Sequence, residues 1–147
     1  MTILPLVLIA VLVLLAALHA YWGLGGNWPG HDELSLVETV VGRTRGMRMP
    51  GLVASLLVAA ALLASAALAA LKSETIAVSL GARGDRILLW AFWTACAVFG
   101  LRGLAGYIPP VFEYARGTVF ARLNMTFYSP LCLFIAASFA MIGMKTG

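Results

Sequence analysis

Two ionisable side chains, His19 and Arg102, interrupt otherwise apolar stretches of this 147-residue chain. An imidazole takes or gives a proton near neutral pH. A guanidinium presents a rigid fork of donors suited to a carboxylate or a phosphate. Each costs about 2–3 kcal/mol to hold at membrane depth, so each is expected to have a partner or a watered cavity. Trp22 and Trp28 follow His19, and Tyr107, Glu113, Arg116, Arg122 and Tyr128 follow Arg102. Arg102, Arg116 and Arg122 can receive an anionic headgroup, and His19 can exchange a proton with it. Trp22, Trp28, Tyr107 and Tyr128 can wall the site. Together these residues suit a pocket for an amphiphile. Simpler readings compete. Arg102 can snorkel to headgroup phosphates or pair with Glu113, and His19 can be a hydrogen-bonded histidine at the interface.

More familiar chemistries find no support. Haem between helices normally wants two axial ligands such as a His pair, and the other histidine, His31, sits in a loop. No His, Cys and carboxylate cluster has zinc-ligand spacing. Cys96 and Cys132 form no CxxC motif. At 1.5 Å per residue they lie about 18 Å and about 8 Å below the same end of their helices, a gap beyond a disulfide's reach. No P-loop, GxSxG or HExxH string occurs, and no acidic residue inside a span offers a proton-pump relay. No cofactor and no metal are expected.

The elements that must position these residues follow from composition. The chain is 62% hydrophobic and 11% charged, against about 45–50% and about 25% in soluble domains. A disordered tail, a nucleic-acid-binding domain and an ordinary soluble enzyme are thereby excluded. The formal charge of +4 rests on ten basic residues, mostly in loops: Arg43, Arg45, Arg48, Lys72, Arg83, Arg86, Arg116, Arg122 and Lys145. They suit anionic lipid headgroups, and no nucleic-acid partner is expected. The apolar residues fall into blocks at 3–22, 52–71, 87–108 and 127–144, each near the roughly 20 residues that cross a bilayer. Lipid leaves no backbone group unsatisfied, so each block should be helical. The first block has no Lys or Arg in residues 1–18. Its apolar run outlasts a signal-peptide core of about 7–15 residues, so it is expected to remain in the protein. The fold expected is all-α, a four-helix transmembrane bundle spanning residues 1–147 as one membrane domain. Both termini lie on one face, B, and the long loops one and three on the other, A. Loop two is short and cation-dense, which favours face B as cytoplasmic.

Packing and boundaries are also written in the chain. Residues 52–71 are rich in Ala and Ser, and Gly100, Gly103 and Gly106 recur every three residues, so both stretches are expected to pack closely against neighbouring helices. Trp90 and Trp93 suit an aromatic belt near face B, and Tyr21, Trp22, Tyr107, Phe127 and Tyr128 one near face A. Leu34, Val37 and Val41 sit at helical spacing, so loop one holds either a short interfacial amphipathic helix or an irregular surface loop. The mixed residues of loop three suit a segment lying in the interface or folded back on the bundle. Pro109 and Pro110 end span three. At span four, either Ser129 caps the helix with Pro130 at its first position, or Asn124 caps it and Pro130 kinks it.

Two strings then become familiar. His19-Ala20-Tyr21-Trp22-Gly23-Leu24-Gly25-Gly26 is followed by Trp28-Pro29. Arg116-Gly117-Thr118-Val119-Phe120-Ala121-Arg122-Leu123 is followed by Tyr128-Ser129-Pro130-Leu131-Cys132. Over nearly its whole length the chain resembles a family of small bacterial four-span integral membrane proteins classed as a domain of unknown function. Asn124 departs from the family pattern, in which an acidic residue is usual. The resemblance implies the four-span architecture and marks the face-A strings as distinguishing; it implies no activity. The residues themselves favour a lipid- or amphiphile-binding protein or an accessory subunit of a membrane complex, with membrane lipids, another membrane protein or a second copy as partners. A small membrane enzyme acting on a lipophilic substrate through His19 and Arg102 is the alternative, and a transporter component is a further one. Residence in a bacterial inner membrane is expected.

Overall fold

The structure, a computed structural model, describes residues 3–42, 48–73 and 81–145. Four of its helical runs are long and apolar enough to cross a membrane. Helix α1 spans Ile3–Gly23, and α2, Glu33–Val40, lies in loop one. Helix α3 spans Leu52–Lys72, and α4 spans Gly81–Ala105. A 3-10 segment, Pro109–Ala115, leads to α5, Val119–Leu123. Helix α5 continues through a π turn, Asn124–Tyr128, into α6, Ser129–Lys145. The 21 residues of α1 and of α3 measure about 31 Å at 1.5 Å per residue, the thickness of the hydrocarbon core. The α-helical bundle is therefore as expected. Its third span starts six residues earlier than the apolar block, at Gly81, and its fourth is one run over Val119–Lys145. Arg43 and Arg45, counted among the loop cations, lie outside the described residues.

Two tightly packed pairs make up the bundle: α1 with α3, and α4 with α6. In α3 the buried positions Ser55, Ala59, Leu62, Ala66 and Ala69 recur at alternating steps of four and three. That spacing draws a seam of small residues, which lets the α1 backbone approach closely. Helix α1 answers with Leu8, Leu12 and Ala16, four residues apart. The glycines of α4 do the same against α6. A Cβ at Gly103 would stand 2.7 Å from Leu133 Cγ, and one at Gly100 would meet Ala136 Cβ at 3.7 Å. Buried hydroxyls find partners within their own helices: Ser65 Oγ donates to the Ala61 carbonyl and Ser138 Oγ to the Phe134 carbonyl, each at 2.8 Å.

The pairs meet through one apolar core. Leu8, Leu12, Leu62, Ala66 and Ala69 of the first pair pack with Phe92, Ile135, Phe139 and Ile142 of the second. The Phe92 ring stands edge-on to Phe139 at 5.0 Å, and Phe99 stacks on Phe139 at 6.2 Å. These residues fill the middle and the face-B half. Towards face A the pairs part, and the space between them becomes the site described below.

Gly103→Val should cost about 1–3 kcal/mol by overpacking the α4–α6 contact. Gly100→Ala should be neutral or stabilise by up to about 1 kcal/mol, because a helix-interior glycine is removed where there is room. Thermal unfolding in detergent micelles checks both.

Candidate functional site

Pro130 has no N–H and its ring crowds the carbonyl four residues before it, so a regular α-helix cannot run through it. The chain resolves this with the π turn: the Ser129 N–H donates to the Asn124 carbonyl, five residues back. The same pattern would pair the Met125 carbonyl with the missing N–H of Pro130. Instead the Tyr107 hydroxyl donates to it at 3.2 Å. Neither Ser129 nor Asn124 caps the run, whereas the expected disturbance of its early turns at Pro130 is found, as a π turn. Thr118 caps the run, its hydroxyl accepting from Ala121 N at 3.2 Å, and Pro130 lies in a helix that has already begun.

The turn points Asn124 inward, where it is 1% exposed. Its Oδ1 accepts from Arg102 Nη2 at 2.8 Å and from Ser129 Oγ at 3.4 Å, and its Nδ2 donates to the Gly106 carbonyl at 3.3 Å. Gly106 makes room for this cluster: a Cβ there would collide with the Ser129 hydroxyl and approach Asn124 Nδ2 to 3.1 Å. The guanidinium also lies over the Phe112 ring, 4.9 Å from its centroid. Arg102 thus turns into the bundle rather than snorkelling. The expected pair with Glu113 is not formed, because Glu113 bonds Arg116 at 3.1 Å on the exposed 3-10 segment, a contact worth little. Asn124 and Phe112 carry no charge. Arg102 Nη1 is buried with no hydrogen-bond partner, and among the described residues it is the one buried side-chain nitrogen or oxygen in that position.

Arg102 lines a cavity of about 360 Å³ between the two helix pairs. His19, Trp22 and Tyr128 border it too, with apolar walls from Leu15, Leu62, Val98, Phe99 and Ile135 below and from Val40 and Phe120 above. His19 Nδ1 is 2.7 Å from the Leu15 carbonyl oxygen. A carbonyl only accepts, so Nδ1 carries the proton and Nε2 is the nitrogen left for other partners. Trp22 stands edge-on to the His19 ring at 5.1 Å, and its Nε1 donates to the Trp28 carbonyl at 2.7 Å. The Tyr128 hydroxyl donates to the Thr39 carbonyl at 3.0 Å. The two aromatic polar tips are therefore spent on holding the walls.

The glycine-rich string after α1 explains itself here. Gly26 lies against the face of Tyr21, with no room for a Cβ, and the turn brings Trp28 back over Trp22. Gly42, at φ +99°, closes the other end of loop one against Ala115 and Phe120. Helix α2 forms, but it buries Leu36 and Val37, whereas Leu34 of the expected apolar set is 61% exposed. Loop three folds back on the bundle, burying Ala115 and Phe120. Tyr114 ties the two loops further, donating to the Val41 carbonyl at 3.1 Å.

Of the residues singled out from sequence, His19, Trp22, Arg102 and Tyr128 share the cavity. Tyr107, Glu113 and Arg116 line a separate crevice of about 160 Å³, which Phe112 and Asn124 line as well. Arg122 borders a third depression on the surface, beside Gly117 and Met125. Trp28 stays outside as a support for Trp22. Asn124, Phe112 and Phe120 were not anticipated; Pro130, six residues after Asn124, is the signal that the helix must be irregular there. Both cysteines are free thiols. Among the described residues no three His, Cys, Asp or Glu side chains gather as a metal site.

Fold and site together define a four-helix membrane protein with a charged cavity near one end. The chain belongs to the family described as "Protein of unknown function (DUF3995)", whose model matches residues 12–139. That stretch contains every residue lining the cavity. No curated protein and no solved structure matches the chain.

Helix α2 roofs the cavity and depends on an exposed cap. Asp32 Oδ1 accepts from Ser35 N at 2.8 Å, while Ser35 Oγ accepts from Asp32 N at 3.1 Å. The bond from the Ser35 backbone first, and then one from the Ser35 side chain, hold the Asp32 carboxyl below its ordinary value of 3.8. A carboxyl depressed by folding stabilises above its unfolded value and loses that effect as pH falls through the folded one. The Ser35 amide should therefore exchange faster as pH drops below about 3.8, beyond the intrinsic pH trend. Asp32→Asn, which caps without a charge, should flatten that dependence.

Proposed function

We propose that this protein binds a membrane amphiphile in the cavity between its helix pairs and holds the polar head against Arg102. The observation that carries the reading is Arg102, which lines an apolar cavity and whose Nη1 is a charged donor buried without a partner. Such a donor costs several kcal/mol unless something accepts from it. The cavity is also the right size: about 360 Å³ falls within the roughly 300–1,000 Å³ typical of small-ligand pockets. Membrane lipids are the nearest source of a molecule with an acceptor at one end and an apolar body at the other.

A second reading, a small membrane enzyme acting on a lipophilic substrate, draws on His19, whose free Nε2 is available as a proton acceptor. Arg116, Arg122, Glu113 and Tyr107 keep a role only as a headgroup-contacting rim at face A. Face B, with Lys72, Arg83, Arg86 and Lys145, is proposed as the cytoplasmic side of a bacterial inner membrane.

Native mass spectrometry of the protein released from nanodiscs made with source-membrane lipid tests the binding reading. A defined small amphiphile should stay bound to the wild type and fall in occupancy at least about tenfold in Arg102→Met, the loss of one charge-assisted bond. Stripped of lipid, Arg102→Met should melt no lower than wild type, since it removes an uncompensated buried charge. A bare wild-type protein, or equal occupancy in both, overturns the reading; a stoichiometric protein partner instead favours an accessory subunit. His19→Ala should leave occupancy nearly intact, and a change in the chemical identity of the bound species would favour the enzyme.

A further inference from the structure

Resting on the binding reading above, we infer that the occupant is an acidic amphiphile, a single carboxylate or phosphate head on a hydrocarbon tail, and that it reaches Arg102 sideways from the lipid through the seam between α3 and α4. The charge argument selects the head. The contacts of Arg102 are a neutral amide and an aromatic face, so its positive charge is uncompensated by them. A carboxylate or phosphate oxygen on Nη1 supplies both the missing acceptor and the missing charge. A neutral alcohol or ketone supplies the acceptor alone.

The layout of the walls selects the direction of the tail. The groups able to hold a head, Arg102 and His19, are at the face-A end. Leu15, Leu62, Val98 and Ile135 line the deeper part. From Trp22 to Leu15 the cavity follows α1 for about 10 Å, enough for the head and the first part of a chain. The remainder needs a way out into apolar surroundings. Three lining residues are largely exposed: Phe127, at 58%, stands at the face-A end, and deeper in the bundle Val58 on α3 is 43% exposed and Val98 on α4 is 57% exposed; the last two offer the way out. They bracket the seam where α3 and α4, joined in the core through Ala66, Ala69 and Phe92, draw apart. On the face-A side the way is roofed, by α2 through the Tyr128–Thr39 bond and by the Phe112–Phe120–Tyr128 run of rings at 5.8 and 5.9 Å.

The test is thermal stabilisation of the delipidated full-length protein in nanodiscs of neutral lipid. The probes are hexadecanoate, hexadecyl phosphate, hexadecanol, acetate and inorganic phosphate. The two long-chain acids should stabilise with apparent affinities at least tenfold above that of hexadecanol, and acetate and inorganic phosphate should have no effect. Arg102→Met should erase the preference of acid over alcohol. Asn124→Asp, which sets a carboxylate beside the guanidinium, should weaken it. Val98→Trp should obstruct the seam and reduce stabilisation by the acids at least fivefold. Leu101→Trp, an equally bulky change at a 68% exposed site on α4 that does not line the cavity, should leave it unchanged. Stabilisation by hexadecanol equal to that by the acids overturns the acidic head while leaving the binding reading intact; no stabilisation by any long-chain probe overturns both. Stabilisation by inorganic phosphate alone assigns the site to a water-borne anion. An unaffected Val98→Trp overturns the lateral route.

Discussion

One donor fork inside a lipid-embedded bundle governs the face-A half of this molecule. A guanidinium cannot shed its charge, so the chain must meet its donors with acceptors. Half of the fork is met by a chain of dependent features. Nη2 needs Asn124, and Asn124 needs the π turn to face inward. Pro130 rules out the regular helix, and the Tyr107 hydroxyl supplies the carbonyl that Pro130 leaves open. Gly106 leaves the space in which Asn124 and Ser129 sit. None of these residues makes sense alone, and each does once the arginine is fixed. The other half of the fork, Nη1, is buried without a hydrogen-bond partner among the described residues.

The division of the bundle into two pairs gives this arrangement its setting. Within a pair the backbones approach closely along Ser and Ala on α3 and along Gly on α4, the packing lipid favours. Between pairs the contact is made by larger side chains, Leu12 and Leu62 against Phe92 and Phe139, which fill the space at the core and in the face-B half. Where those large residues give out, the pairs enclose space. The cavity is a consequence of which residues stop, as much as of which residues line it.

Much of the fold was legible in the sequence because lipid imposes a single rule: apolar blocks of about 20 residues become helices. The misplaced boundaries show the limit of that rule. Hydropathy reports where lipid begins, whereas residues 81–86 are helical and polar, and α5 continues into the fourth span although it sits in loop three. His19 and Arg102 could be matched because both lie near the C-terminal ends of spans one and three, which run in the same direction and end at face A, and Trp22 and Tyr128 followed from the same reckoning of depth. Glu113 and Arg116 went elsewhere because a 3-10 segment that opens on two prolines sets their direction, while Tyr107 precedes that segment and Arg122 lies on α5, and no periodicity of the spans encodes these positions. Asn124 was hidden for a related reason: its inward aim depends on a turn that breaks the 3.6-residue repeat from which facing is read.

The π turn has one more consequence. It is, geometrically, a helix holding one residue more than its length requires. Deleting a single residue between 124 and 129 would let the preceding segment close back to the ordinary pitch, rotating it by about 100° about the axis relative to α6. Asn124 would swing away from Arg102, and with it Phe120, which seals the cavity's upper wall. The segment therefore tolerates exchange of side chains far better than a change in length, and the spacing between Asn124 and Pro130 is a fixed count in the architecture, comparable to the tooth that sets a gear.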